Sequence, residues 1–168
     1  MISRVIDSPI GLLELQAKDD KLCKVNWHHQ HSPEARKYYG TEATHPDSQS
    51  SVLEHAANEL ELYFKGQLRA FTTPCILEGT VFQKRVWSVL KTIDWGETST
   101  YKVVAELLNQ PSAARAVGTA IGKNPIPIFI PCHRVLGSNG SLTGFSGGLE
   151  TKQILLALEH SQSDLVLG

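Results

Sequence analysis

No apolar run in these 168 residues approaches the roughly 20 that a membrane-crossing helix needs, which excludes such a span. The N-terminus lacks the basic-then-apolar pattern of a secretory signal. A cytoplasmic location is therefore expected, with the nucleus equally open in a eukaryote. Cysteine is scarce: Cys23, Cys75 and Cys132 are an odd, scattered set, which speaks against a disulfide framework or a paired-cysteine metal site. In a reducing compartment all three are thiols. There is no internal repeat. Nor is there a strong charge of either sign, since the net charge is only -1.

One absence is local. Between Glu106 and Glu150 there is no acidic residue, while Arg115, Lys123 and Arg134 fall in that stretch. A surface that faces phosphates requires such a neutral-to-basic segment. A buried segment rich in Ala, Gly and Pro avoids acids equally well, and charge alone does not separate the two.

What is present reads as two domains, residues 1–79 and 80–168. In the first, Arg4–Ile6 and Leu12–Gln16 flank the turn cluster Asp7-Ser8-Pro9-Ile10-Gly11, and Leu22–Trp27 is a third alternating segment. Residues 28–51 are polar and read as a loop or a short helix. Leu53, Ala56/Ala57, Leu60 and Tyr63 then recur at helical spacing, with Gly66 just past the end. Phe71–Ile76 reads as a short strand or a linker.

The second domain is a run of short helices. Phe82, Val86, Val89/Leu90 and Ile93 form one stripe. Thr98, Ser99 and Thr100 supply caps for a second helix, with Val104 and Leu107/Leu108 inward. Pro111-Ser112 opens a third, with Ala113/Ala114, Val117 and Ala120/Ile121 inward and Gly122 at its end. This spacing resembles a helix-turn-helix. Pro125, Pro127 and Pro131 forbid a helix in the next segment, and Ile126–Ile130 is expected at the interface between the domains. A Gly/Ser-rich loop, residues 137–148, precedes a last helix over Leu149–His160, with Ile154, Leu155 and Leu158 on one face.

Cys132 followed at once by His133, between prolines and a glycine-rich loop, is a candidate nucleophile and base. A free thiol with pKa near 8.5 is only a few per cent ionised at neutral pH, so a base is needed, itself oriented by a third group. Neighbouring side chains in a regular element point apart, so contact between these two requires a turn or a bridging water. The acids on the last helix are Glu150 and Glu159. On its own the pair also fits a buried structural cysteine beside an exposed histidine.

Pro131-Cys132-His133-Arg134-Val135 resembles the active-site signature of the O6-alkylguanine-DNA alkyltransferases. Ala113-Ala114-Arg115-Ala116-Val117-Gly118, Asn124-Pro125 and Gly144-Phe145-Ser146-Gly147-Gly148-Leu149 fall in that family's order, so the resemblance covers nearly all of residues 80–160. Residues 1–79 fit the family's more variable N-terminal domain loosely.

The resemblance implies an α+β protein: a ribonuclease H-like N-terminal α/β domain with a small antiparallel sheet, then a mostly helical, winged-helix-like domain. It implies one irreversible transfer of an alkyl group, methyl above all, from O6-alkylguanine in double-stranded DNA to Cys132. O4-alkylthymine is an expected second substrate. Cys132 is similar to the acceptor, His133 to a base acting through water, and Glu159 to the carboxylate that orients it. Asn124 resembles the residue tying the helix-turn-helix to the active-site turn, and Tyr101 the one assisting the leaving guanine. Arg115 is similar to the residue that fills the base stack after the nucleotide is flipped out. Ala114, Gly118, Lys123 and Arg134 are expected beside it on the DNA. Val135, Phe145 and Ser146 join Tyr101 and Cys132 around the base, with Phe145 standing where some members have tyrosine.

The resemblance implies no cofactor, and the protein is expected to be a monomer. His28, His29 and His31 near Cys23 lack the second cysteine of the family's structural zinc site, so no metal is expected. A lesion-binding protein without the acceptor cysteine and a Cys-His-Glu hydrolase are the competing readings. Cys132 opposes the first, and the second leaves Arg115 without a role.

Overall fold

The computed structural model describes residues 1–28, 50–137, 139–140 and 148–167, with only the backbone described for 161–167. The chain divides into two compact units, Met1–Leu77 and Glu78–Gly168. No helix among the described residues is long and apolar enough to cross a membrane.

In the first unit, β1 (Ile2–Ile6), β2 (Leu12–Lys18) and β3 (Lys21–His28) form an antiparallel sheet in that order. The expected hairpin between β1 and β2 is present, with Ile6 paired to Leu13. Its turn is closed by Gly11 N donating to Ser8 O and Ser8 Oγ donating to Gly11 O. Asp19 and Asp20 turn the chain between β2 and β3. Both have positive φ, which the right-handed twist of a two-residue hairpin requires and which Asp tolerates.

Helix α1 (Ser51–Phe64) buries Leu53, Ala56, Leu60 and Tyr63, the periodic positions read from the sequence. Gly66, at φ 71, ends it: Gly66 N donates to Tyr63 O and Gln67 N to Leu62 O. Glu59 lies on the buried face of this helix, and its carboxylate accepts the amides of Thr72 and Thr73 at 2.8 and 2.7 Å. That anchor settles the ambiguous segment after it. Residues 71–76 join β3 by a single bridge, Leu22 to Cys75.

The second unit is helical. Helix α2 (Val81–Leu90) opens with a capping box between Thr80 and Gln83. Thr100 caps α3 (Tyr101–Leu107) by accepting Val103 N. Asn109 adopts φ 58 so that Gln110 N reaches Ala105 O and Asn109 N reaches Glu106 O, which turns the chain sharply toward α4 (Ala114–Gly122). The first helix of the helix-turn-helix read from the sequence is therefore closed, just past its C-cap Leu108, by asparagine rather than glycine.

Two side chains of α2 fix this pair. Trp87 Nε1 donates to Ala120 O at 2.9 Å, and Arg85 Nη2 to Leu108 O at 3.1 Å. The inward face is narrower than the sequence pattern implied. Val104 and Leu108 are buried but Leu107 is 61% exposed, and Ala113 and Ala114 are only half-buried. Strands β4 (Ser99–Thr100) and β5 (Val135–Leu136) pair in parallel and tie the start of α3 to the segment after Cys132. Helix α5 (Leu149–Leu167) completes the described unit.

Trp87 leaves no room at Gly79, where a Cβ would lie 2.7 Å from the indole Cη2 and equally close to Gln83 Oε1. Gly79→Ala is expected to destabilise by about 1–3 kcal/mol through overpacking. The urea midpoint measures it, and an unchanged midpoint would mean that the indole yields freely.

Candidate active site

Asn124 heads the proline-rich segment, and its buried side chain bonds twice. Nδ2 donates to Ile130 O at 2.9 Å and Oδ1 accepts Ile126 N at 3.0 Å. With Ile130 N on Ile126 O at 3.0 Å, residues 126–130 close into a tight loop. Ile128 at its apex has φ 72, a conformation that costs a side-chain-bearing residue roughly 1–3 kcal/mol. Burial of Ile126, Ile128, Phe129 and Ile130 offsets that cost and fixes the loop.

Pro131 leads into one 3-10 turn, Cys132–Arg134, closed by Arg134 N on Pro131 O and Val135 N on Cys132 O. A turn of three residues fans their side chains about 120° apart. All three are buried.

Helix α5 covers the turn. The sequence pattern put Ile154, Leu155 and Leu158 inward, but Ile154 is 40% exposed and Leu158 half-buried. The buried face is Thr151, Lys152, Leu155 and Glu159, a stripe with three polar members out of four. Two of them bind the turn and the residue that follows it. Glu159 Oε1 lies 2.7 Å from His133 Nε2, and Lys152 Nζ donates to Val135 O at 2.7 Å.

Arg134 was expected on DNA and is instead internal. Only 5% exposed, it donates from Nε to Glu159 Oε2 at 3.0 Å, from Nη2 to Glu159 Oε1 at 2.8 Å, and from Nη1 to Ile93 O at 2.6 Å. An arginine so placed cannot reach a phosphate. Its position is decided by the turn, which aims residue 134 at α5.

The remaining positions follow the helix-turn-helix. Tyr101 begins α3, half-buried, with its ring over Gly118: a Cβ there would sit 3.6 Å from Tyr101 Cδ1. Arg115 is exposed one residue into α4, Ala114 opens that helix, and exposed Lys123 ends it. Phe145 and Ser146 lie outside the described residues, as do His29 and His31, while His28 Nε2 is 3.1 Å from Glu14 Oε2.

Lys152 is the site residue that sequence reasoning missed. Once Glu159 is taken as the partner of His133, the helix period puts positions 155 and 152 on the same face. That inference required trusting the carboxylate over the apolar pattern.

Burial dominates the electrostatics. It pushes the Cys132 thiol up to about 11, partly opposed by the Asn124 side chain, the Lys152 charge and the amides of Cys132 and His133. It also holds His133 below its ordinary 6.5 despite the hydrogen bond and charge of Glu159. Burial alone would raise Glu159, but hydrogen bonds from His133 and Arg134 bring it down to about 2. A depressed acid beside a depressed histidine is not the signature of an ion pair between them, which would raise the histidine. The carboxylate takes its countercharge from Arg134, and neutral His133 donates Nε2–H to it. The lone pair is then on Nδ1, a buried atom with no hydrogen-bond partner among the described residues.

Comparison with known proteins shows the family of the chain. Residues 81–161 match the family described as 6-O-methylguanine DNA methyltransferase, DNA binding domain, and residues 1–76 match its ribonuclease-like domain. The chain belongs to the 6-O-methylguanine DNA methyltransferase family. It is 45% identical to a methylated-DNA--protein-cysteine methyltransferase of Mycolicibacterium paratuberculosis, over 98% of this chain and 96% of that one. A relative of the same name in Methanosarcina acetivorans is 42% identical over 96% and 99%. Among solved structures, Mycobacterium tuberculosis OGT in complex with DNA aligns with a TM-score of 0.82 at 43% identity, covering 95% of this chain and 93% of that one. The fold class expected from the sequence, a small antiparallel sheet followed by a helical domain, is that of the family.

The shifts set this methyltransferase's stability against pH. Below 6.5 the unfolded His133 takes a proton that the buried one refuses, and from 4.5 towards 2 the same holds for Glu159, so stability falls with falling pH. Above 9.0 and towards 11 the unfolded Cys132 ionises first, so stability falls again. Urea midpoints are expected to plateau between these limits, with His133→Gln flattening the limb that starts near 6.5 and Cys132→Ser the alkaline one. Unaltered limbs in both variants would show that other groups set the profile.

Proposed function

We propose that this methyltransferase repairs double-stranded DNA by moving the alkyl group of O6-alkylguanine onto Cys132, once per molecule. The observation that carries the reading is a buried cysteine followed by a histidine on one turn, the histidine's Nε2 lying 2.7 Å from Glu159 Oε1 and its Nδ1 having no hydrogen-bond partner among the described residues.

The chemistry follows from that arrangement. A buried thiol that holds its proton to about 11 is inert until a base removes it. His133, kept neutral by burial, is such a base, and a water between Sγ and Nδ1 gives the proton a path. The sulfur attacks the alkyl carbon, the carbon–O6 bond breaks, and its electron pair leaves with guanine. The thiol proton, passed to His133, balances the proton that guanine regains. Tyr101, at the start of α3, is assigned the role of donor to the leaving oxygen. The product is a thioether, which no group on the protein cleaves.

Guanine O6 is hidden inside the duplex, so the nucleotide must leave the stack at a cost of a few kcal/mol. Exposed Arg115 on α4 is assigned to filling the gap. Ala114 and Gly118 keep the helix surface low, and Lys123 contributes phosphate attraction that weakens with salt. Arg134 is not among these contacts.

Intact mass after incubation with a duplex carrying one O6-methylguanine tests the reading. A gain of one CH2 per protein, absent in Cys132→Ala, is expected; turnover on acyl substrates without DNA would point instead to a hydrolase. Arg115→Ala should leave stability within about 0.5 kcal/mol, as exposed substitutions do. It should slow repair in duplex DNA by roughly 100-fold, the equivalent of a few kcal/mol of lost stack filling. Equal rates for variant and parent on the duplex would remove Arg115 from the flipping step.

A further inference from the structure

We infer that Arg134 is a positioning residue for the alkyl transfer: by occupying Glu159 from both nitrogen sides, it keeps His133 a neutral hydrogen-bond donor to that carboxylate and so a base at its other nitrogen. The inference deepens the function proposed above and rests on it.

Three polar hydrogens converge on Glu159. Arg134 Nε and Nη2 span both oxygens, and His133 Nε2 shares Oε1 with the guanidinium at 2.7 Å. The carboxylate is 1% exposed, so these groups replace water as its partners. A third arm, Nη1 on Ile93 O at 2.6 Å, locks the guanidinium plane to the segment after α2. The planar fork makes all of these contacts at once, which an ammonium cannot.

The consequence is one of charge balance. Without Arg134, the buried carboxylate keeps His133 as a countercharge among the described residues, and low dielectric favours pairing over an unpaired buried ion. His133 would then hold two protons and have none to accept. With Arg134 the negative charge is already matched. The other groups acting on His133 are Glu159 and Lys152, both from α5. Helix α2 also packs on the turn, and its buried residues Val86, Trp87 and Leu90 carry no titratable group. Arg134 and Lys152 both disfavour a charged imidazole, in agreement with the depressed histidine.

The test is the single-turnover rate of methyl transfer from the O6-methylguanine duplex as a function of pH, for the parent chain, Arg134→Gln and Arg134→Lys. His133 is titrated in the same proteins by NMR of labelled histidine. In Arg134→Gln the acid limb of the rate and the His133 titration should both move to higher pH, with the neutral-pH rate down roughly tenfold or more, inside the 100- to 10,000-fold that a general base supplies. Arg134→Lys keeps the charge and loses the fork, so a smaller fall is expected. Should Arg134→Gln fail to fold, the lysine variant decides: a slower rate with a displaced His133 titration supports the inference. A fall in rate with neither acid limb nor titration displaced assigns Arg134 to structure alone and overturns it, as does an unchanged rate. If the parent chain gains no methyl group, the proposed function itself fails, an outcome distinct from either.

Discussion

The carboxylate of Glu159 is the point on which the second unit depends. It is buried beside the turn that carries Cys132, and an unpaired charge there would cost several kcal/mol. His133 and Arg134, consecutive residues of that turn, both reach it from their different directions. The turn can present two donors to one acceptor because three residues per turn fan the side chains, where a strand would send neighbours to opposite faces. Cys132 is left on the remaining side. Geometry, charge and the placement of Cys132 are thus set by one local choice of backbone.

That choice is enforced from both ends. Upstream, the amide of Asn124 clamps a loop whose apex holds Ile128 in a left-handed conformation. Such a conformation persists only where its surroundings over-determine it, and strain of this kind collects at functional sites. Downstream, Lys152 fixes the carbonyl of Val135 while β4 pairs with β5. The two cations Lys152 and Arg134 are buried for the same purpose and act differently. Lysine offers a point charge to one carbonyl and to the thiol, whereas arginine offers a planar fork to a carboxylate.

The helix-turn-helix shows how far local signals carry. Thr100 as cap, Gly122 as terminus and the Val117, Ala120, Ile121 stripe were legible because capping and the 3.6-residue period are local properties. Leu107 misled for a simple reason: a seven-residue helix offers too few positions for period alone to separate two adjacent leucines, and the chosen face depends on where α4 lies.

The last helix marks the same boundary more sharply. Sequence determined that residues 149–160 are helical, that Cys132 and His133 follow a proline-rich segment and precede a glycine-rich loop, and that Glu159 is an acid able to serve them. It also determined the family, through motifs spread along the second half of the chain. Only the tertiary structure decided which face of α5 turns inward. A polar face was buried because Lys152 and Glu159 find partners there, which no hydrophobic pattern can announce. Likewise a basic residue in an acid-free stretch reads as a ligand for phosphate, and only packing reveals that Arg134 has already spent its charge on Glu159. Burial and pairing are properties of neighbours distant in sequence, so they first exist when the chain is folded.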